Sequence, residues 1–226
     1  MNLEELIELY RTQDYKFFKY RDKDGNDLKT HFIFETHKDY LDKYLGFYKE
    51  LPDLTQVIVY ATDGVFKLTN NGIEYFIRHN HQEVFEDMNG NLRGISYEIS
   101  NQVKQNLIKR INDIMSANNF DSIYEIVENC RVRGFGPLAT YDTAQRIAAK
   151  MNIKPDKIYL MAGARIGVKA LEEKGYVEIG LSQKKLIKKE ELPQQFKILS
   201  AEESHHCLCA MKSELGQLKE TKANNT

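Results

Sequence analysis

The stretch Arg131-Val132-Arg133-Gly134-Phe135-Gly136-Pro137 holds the residues of this chain whose types and order suit a definite chemistry. Gly134 and Gly136 lack a Cβ and accept positive φ, so the main chain can turn sharply and leave its N–H groups open to a bulky group. Phe135, between them, is expected to point back into a core. Pro137 suits the first turn of a following helix, whose N-terminal amides and dipole favour an anion. A phosphate oxygen is the natural ligand, and Arg131, Arg133, Lys150 and Arg165 are the cations expected to attract the rest of a polyanion. A plain helix–helix turn is the alternative use of the same glycines.

Other titratable groups offer less definite chemistry. His79 and His81 alternate on a strand-like segment, and His205, His206, Cys207 and Cys209 gather near the last helix. Neither spacing matches a zinc pattern, and a buried thiol serves as readily as a small hydrophobe, so no metal and no cofactor are expected. Tyr141, Asp142 and Arg146 share a helical face, where Asp142 and Arg146 read as an i,i+4 ion pair rather than a polar active site. Gly163-Ala164-Arg165-Ile166-Gly167 has two glycines and lacks the third that a dinucleotide fingerprint needs.

The elements that must position the glycine turn follow from periodicity. Ser122-Ile123-Tyr124-Glu125 fits a capping box ahead of a helix carrying Ile123, Ile126, Val127 and Cys130, and Ala144, Ile147, Ala148 and Met151 repeat at helical spacing after the turn. An earlier helix carries Val103, Leu107, Ile108, Ile111, Ile114 and Met115. A third helix after the turn opens at Ala162-Gly163, with Gly163, Gly167 and Ala170 small enough for close packing. Toward the N-terminus, Leu3, Leu6, Ile7 and Tyr10 predict a helix, and Asp24-Gly25-Asn26 predicts a hairpin between Tyr15–Tyr20 and Lys29–Glu35. Residues 38 to 50 return to helical spacing. Gln56–Ala61, Val65–Leu68, Ile73–Ile77, Val84-Phe85 and Ile95–Ile99 read as strands, with Asn70-Asn71-Gly72 turning the chain into Ile73–Ile77 and Asn89-Gly90-Asn91 separating the last two, and Tyr176–Leu181 reads as another, ahead of a lysine-rich loop and a final helix from Ala201 to Lys219.

These assignments predict an α+β protein. Residues 1 to 99 form a small antiparallel sheet module with one or two helices, residues 100 to 220 a mainly helical domain, and residues 221 to 226 a polar tail that frays. With 226 residues, 42% hydrophobic and 29% charged, the composition is that of an ordinary folded protein. The longest apolar runs, such as Ile158 to Ala162, fall far short of the roughly 18 residues that span a bilayer. An acidic start at Glu4-Glu5 is unlike an export signal, and three cysteines with two of them one residue apart do not make a disulfide framework, so a cytoplasmic location without a membrane is expected. A formal charge of -1 hides an asymmetry. Residues 1 to 100 hold 12 Lys/Arg against 18 Asp/Glu, and residues 131 to 170 hold 8 against 2.

Val132, Gly134-Phe135-Gly136 and Ala144 together resemble the helix-hairpin-helix proteins, whose signature is an apolar residue, a Gly-apolar-Gly turn and a helix bearing an alanine. Ala144 stands later than the usual spacing, so either the second helix starts a turn early or the loop is longer. The order of Asp156 and Arg165-Ile166-Gly167 after the hairpin is similar, more distantly, to the helix-hairpin-helix DNA glycosylases, and that resemblance implies Asp156 as a catalytic carboxylate supporting positive charge on a sugar. No lysine stands in the hairpin where lyase members carry a nucleophile. Residues 131 to 210 also resemble an uncharacterised bacterial protein group, which implies no activity. Three functions follow as expectations: binding of DNA or structured RNA through the hairpin backbone, base excision with Asp156 as the essential group, or a protein-interaction module that meets a partner through its acidic N-terminal surface.

Overall fold

A computed structural model describes residues 1–220, and the tail at 221–226, expected to fray, lies outside them. The fold is α+β. Helix α1 (Leu3–Thr12) is set by a capping box in which Asn2 Oδ1 accepts the Glu5 N–H and Glu5 Oε2 accepts the Asn2 N–H, each at 2.9 Å. Strands β1 (Tyr15–Arg21) and β2 (Asp27–Phe34) pair antiparallel across a turn held by Asp22 Oδ1, which accepts from the Asp24 and Asn26 amides. Helix α2 (His37–Glu50) follows, burying Tyr40, Leu41, Tyr44, Leu45 and Tyr48 on one face.

Gln56–Ala61, expected as a strand, lies inside helix α3 (Leu54–Asp63). Its β-branched run suggests a strand, but local signals at both ends select the helix. Asp53 caps the Gln56 amide at 2.8 Å, and Gly64 ends the helix in a left-handed conformation at φ +71. Val57, Ile58, Ala61 and Thr62 then fall together on the buried face. Strands β3 (Val65–Asn70) and β4 (Ile73–Arg78) form the hairpin expected around Asn71-Gly72, both of which take positive φ. The short strands β5 (Phe85–Glu86) and β6 (Leu92–Arg93) flank the Asn89-Gly90-Asn91 turn. Ile95–Ile99 is not a strand either, because Ser96 caps helix α4 (Tyr97–Lys109).

The single helix expected to carry Val103 through Met115 is interrupted at Arg110, giving α4 and α5 (Ile111–Ser116). Helix α6 (Phe120–Cys130) is capped by Asn119, three residues ahead of the Ser122 box, because the Asn119 carboxamide accepts the Ser122 amide at 2.8 Å. Helix α7 (Pro137–Lys150) begins directly after Gly136. Strand β7 (Lys157–Tyr159) pairs with β8 (Leu186–Lys188), which lies within the expected lysine-rich loop, while Tyr176–Leu181 forms no strand. Between them runs α8 (Ala162–Glu173), and the expected final helix is two, α9 (Ala201–Ala210) and α10 (Lys212–Gly216). Among the described residues, strands pair only as two-stranded antiparallel ladders. No described helix is long and apolar enough to cross a membrane.

The chain groups into two units that do not follow the expected boundary at residue 99. Among the described residues, one comprises 1–13, 35–38 and 155–220, and the other comprises 14–34 and 39–154. The cause lies in α1, whose apolar face of Leu3, Leu6, Ile7 and Tyr10 shares a core with Ile158, Val168, Leu171, Phe196 and Leu208. In that first unit α8 packs closely on α9, since a Cβ at Gly167 would sit 2.2 Å from the Leu208 carbonyl oxygen. The second unit buries Phe17, Phe66, Val57, Ile58, Leu107, Val127 and Ile147 among its hairpins and helices, with α7 packed on both α3 and α6.

Candidate functional site

The connection between α6 and α7 occupies residues 131–136. Helix α6 ends at Arg131, whose N–H donates to Glu128 O, and the Phe135 N–H donates to Val132 O at 3.0 Å, closing the turn. Phe135 is buried at 2% exposure, as its place between two glycines suggests. Gly134 is exposed at φ +96, and a Cβ there would stand 2.6 Å from Ile99 Cδ1. Gly136 is the N-cap of α7 and has open space on its Cβ side. With Pro137 at the first helical position, no side chain caps α7, and among the described residues no hydrogen bond engages the Gly134 or Gly136 N–H. Arg131 and Arg133 are both exposed on this loop.

The remaining residues expected to join them stand elsewhere. Lys150, at the far end of α7, donates from Nζ to the carbonyls of Lys49 (3.1 Å) and Leu51, closing the C-terminus of α2. Arg165 and Asp156 belong to the first unit. Arg165 donates to Ser182 O, and Asp156 lies exposed in the bend before β7, where no hydrogen bond among the described residues engages its carboxylate.

A second polar cluster, in the second unit with the hairpin, was only half legible in the sequence. Strand β4 ends at Arg78, and residues 79–83 form a turn: the Gln82 and Glu83 amides donate to His79 O at 2.9 and 3.1 Å. The turn, rather than strand alternation, brings the His79 and His81 rings to 4.6 Å. His81 Nδ1 lies 3.4 Å from Asp142 Oδ2 on α7, and one ligand atom from each of His79, His81 and Asp142 lies within 4.8 Å of the others. Behind Asp142, one turn along α7, Arg146 is wholly buried. Its Nε donates to the Tyr44 hydroxyl at 2.5 Å, and its Nη1 donates to Ala61 O at 2.7 Å and Gln82 Oε1 at 2.5 Å. Nearby, Lys19 is buried on β1 and donates to Asn80 Oδ1 at 2.9 Å and to Glu83 Oε2.

Burial and charge act against each other in this cluster. Burial alone would raise the Asp142 carboxyl, but the His81 hydrogen bond and the Arg146 charge outweigh it and hold the group below the usual carboxylate range. Burial pushes His79 below the ordinary imidazole value, and the neighbouring His81 adds to the shift. Arg146 stays charged despite its burial because the oxygens of Tyr44, Tyr48 and Asp142 surround it.

The second His/Cys run does not build a comparable group among the described residues. His205 Nδ1 lies 2.8 Å from Tyr159 O, His206 Nδ1 lies 3.1 Å from the Tyr10 hydroxyl, and Cys207 is a buried thiol whose pKa burial pushes up. In both polar clusters the sequence signal was the residue type. The missing information was which distant carboxylate closes on His79 and His81.

Comparison of the chain with protein-family models, with curated proteins and with solved structures finds no match.

Proposed function

We propose that the α6–α7 hairpin binds the phosphate backbone of DNA or structured RNA. The observation that carries this reading is a solvent-exposed glycine turn with the Gly134 and Gly136 amides unengaged among the described residues, beside an uncapped helix start and two exposed arginines. Main-chain N–H groups at such a turn offer fixed donors to a phosphate oxygen at little ordering cost. Arg131 and Arg133 then supply attraction that depends on salt, and backbone contact of this kind carries no base sequence preference. Lys150 is left out of the interface, because its ammonium closes the end of α2.

Fluorescence anisotropy tests the reading with labelled duplex, branched and single-stranded probes over a salt series. Binding should weaken linearly in log salt, and replacing both Arg131 and Arg133 by Ala should reduce the slope by about two. Absence of binding to every probe at low salt removes the proposal, as does a slope that the double variant leaves unchanged.

A further inference from the structure

Asp142 is a carboxylate whose surroundings leave it short of partners. Its side chain is 10% exposed, and among the described residues its hydrogen bonding is limited to His81 Nδ1 at 3.4 Å. Arg146 Nη2, itself buried without a hydrogen bond, stands 3.8 Å away. Charge-assisted bonds to a carboxylate close to about 2.7–2.9 Å, so both contacts are long. Held at such distances, the oxygen still has room to accept a closer ligand.

The same oxygen faces two imidazoles from the 79–83 turn. Metal–ligand bonds of about 2.0–2.1 Å arranged as a tetrahedron place neighbouring ligand atoms about 3.3 Å apart. The 3.4 Å between His81 Nδ1 and Asp142 Oδ2 matches that edge, and the full set of three lies within 4.8 Å, a span that small side-chain rotations close. The turn is anchored from behind: the His79 N–H donates to Gly64 O at 2.7 Å, and Gln82 is tied to Thr62 O and Arg146. Two fixed imidazoles and a carboxylate one helix away are thus supported by their own surroundings, as ligand sets require.

We propose that His79, His81 and Asp142 bind a divalent transition cation of the zinc class. Two imidazole nitrogens and one carboxylate oxygen suit Zn²⁺ and its neighbours, whereas Ca²⁺ and Mg²⁺ favour sets built wholly from oxygen. Three protein ligands leave at least one position for water or an anion, so the cation is exchangeable and chemically accessible through His81, which is exposed. The alternative use of the same atoms is a simple hydrogen bond between His81 and Asp142.

Calorimetric titration of the untagged, chelator-stripped full chain with Zn²⁺ separates the two. One equivalent should bind, and His81→Ala and Asp142→Asn should each weaken binding more than about ten-fold, with circular dichroism showing both variants folded. Since His81 lies on an exposed turn, its variant carries the test should Asp142→Asn fail to fold. Substitution with Co²⁺ should give visible d–d bands without the near-ultraviolet thiolate transition. Cys209→Ser and the Arg131/Arg133 double variant should bind Zn²⁺ like the parent, which keeps this inference independent of the hairpin reading. No saturable binding, unchanged binding in His81→Ala, or loss of binding in Cys209→Ser overturns it.

Discussion

Arg146 Nε and the Tyr44 hydroxyl lie 2.5 Å apart although 102 positions separate them in the chain, and this bond ties α7 to α2 through the middle of a core. The guanidinium also holds the α3 carbonyl of Ala61 and the Gln82 side chain. Removing a buried charge that satisfies three oxygens leaves those oxygens unpaired. Arg146→Ala is therefore expected to lower unfolding free energy by about 3–5 kcal/mol, and Tyr44→Phe by about 1–3 kcal/mol. Urea denaturation followed by circular dichroism measures both. A loss under about 1 kcal/mol in Arg146→Ala would mean that the network is not a stabilising element.

Two glycines should respond to alanine in opposite directions. At Gly64, φ is +71, and a Cβ would meet Gln82 Oε1 at 2.2 Å, displacing the amide that accepts from Arg146. Left-handed backbone strain and the displaced amide together should cost at least about 2 kcal/mol in Gly64→Ala. Gly46 sits inside α2 with open space around its Cβ direction. There alanine restricts the unfolded chain and meets nothing, so Gly46→Ala should stabilise by about 0.5–1 kcal/mol. Thermal melts of the two variants beside the parent decide the sign of each.

In the first unit, Tyr10 stacks on His37 at 4.7 Å between ring centroids and meets His206 through its hydroxyl. Burial holds His37 down to about 4 and His206 down to about 3, the latter with the charges of His37 and His205 adding. Each is neutral when folded, while its unfolded counterpart titrates near 6.5. Between those values the unfolded chain binds more protons. Stability is therefore complete above about pH 6.5 and falls as pH drops toward the folded-state values, by about 1.4 kcal/mol per pH unit per imidazole at most. Urea midpoints at pH 7.5, 6 and 5 should decline in that order, and His37→Phe should flatten the decline. Equal midpoints at pH 7.5 and 5 would contradict the neutral, buried state of these rings.

Local chemistry in the sequence was enough for the elements that carry their own signals. Asn71-Gly72 defined one hairpin and Asp24-Gly25-Asn26 another, because those residues reach turn conformations closed to most side chains. The helical spacing of Ala144, Ile147 and Ala148 placed α7, and the glycine turn before it was legible for the same reason. Where two signals competed, the caps decided. Val57-Ile58-Val59 suits a strand by residue type, but Asp53 and Gly64 bracket it as a helix.

Contacts between distant positions were outside the reach of any local pattern. Nothing near residue 3 in the chain announces that Leu3, Leu6 and Ile7 share a core with Val168 and Leu208, so a boundary at residue 99 looked natural. Asp142 and Arg146 read correctly as neighbours one helical turn apart, yet only folding set one against His81 and the other against Tyr44. The sequence determined which residues were chemically capable and which short segments were helix or hairpin, since those depend on neighbours in the chain. Tertiary packing alone decided which capable residues meet, because burying separate apolar faces together brings side chains more than sixty positions apart within bonding distance.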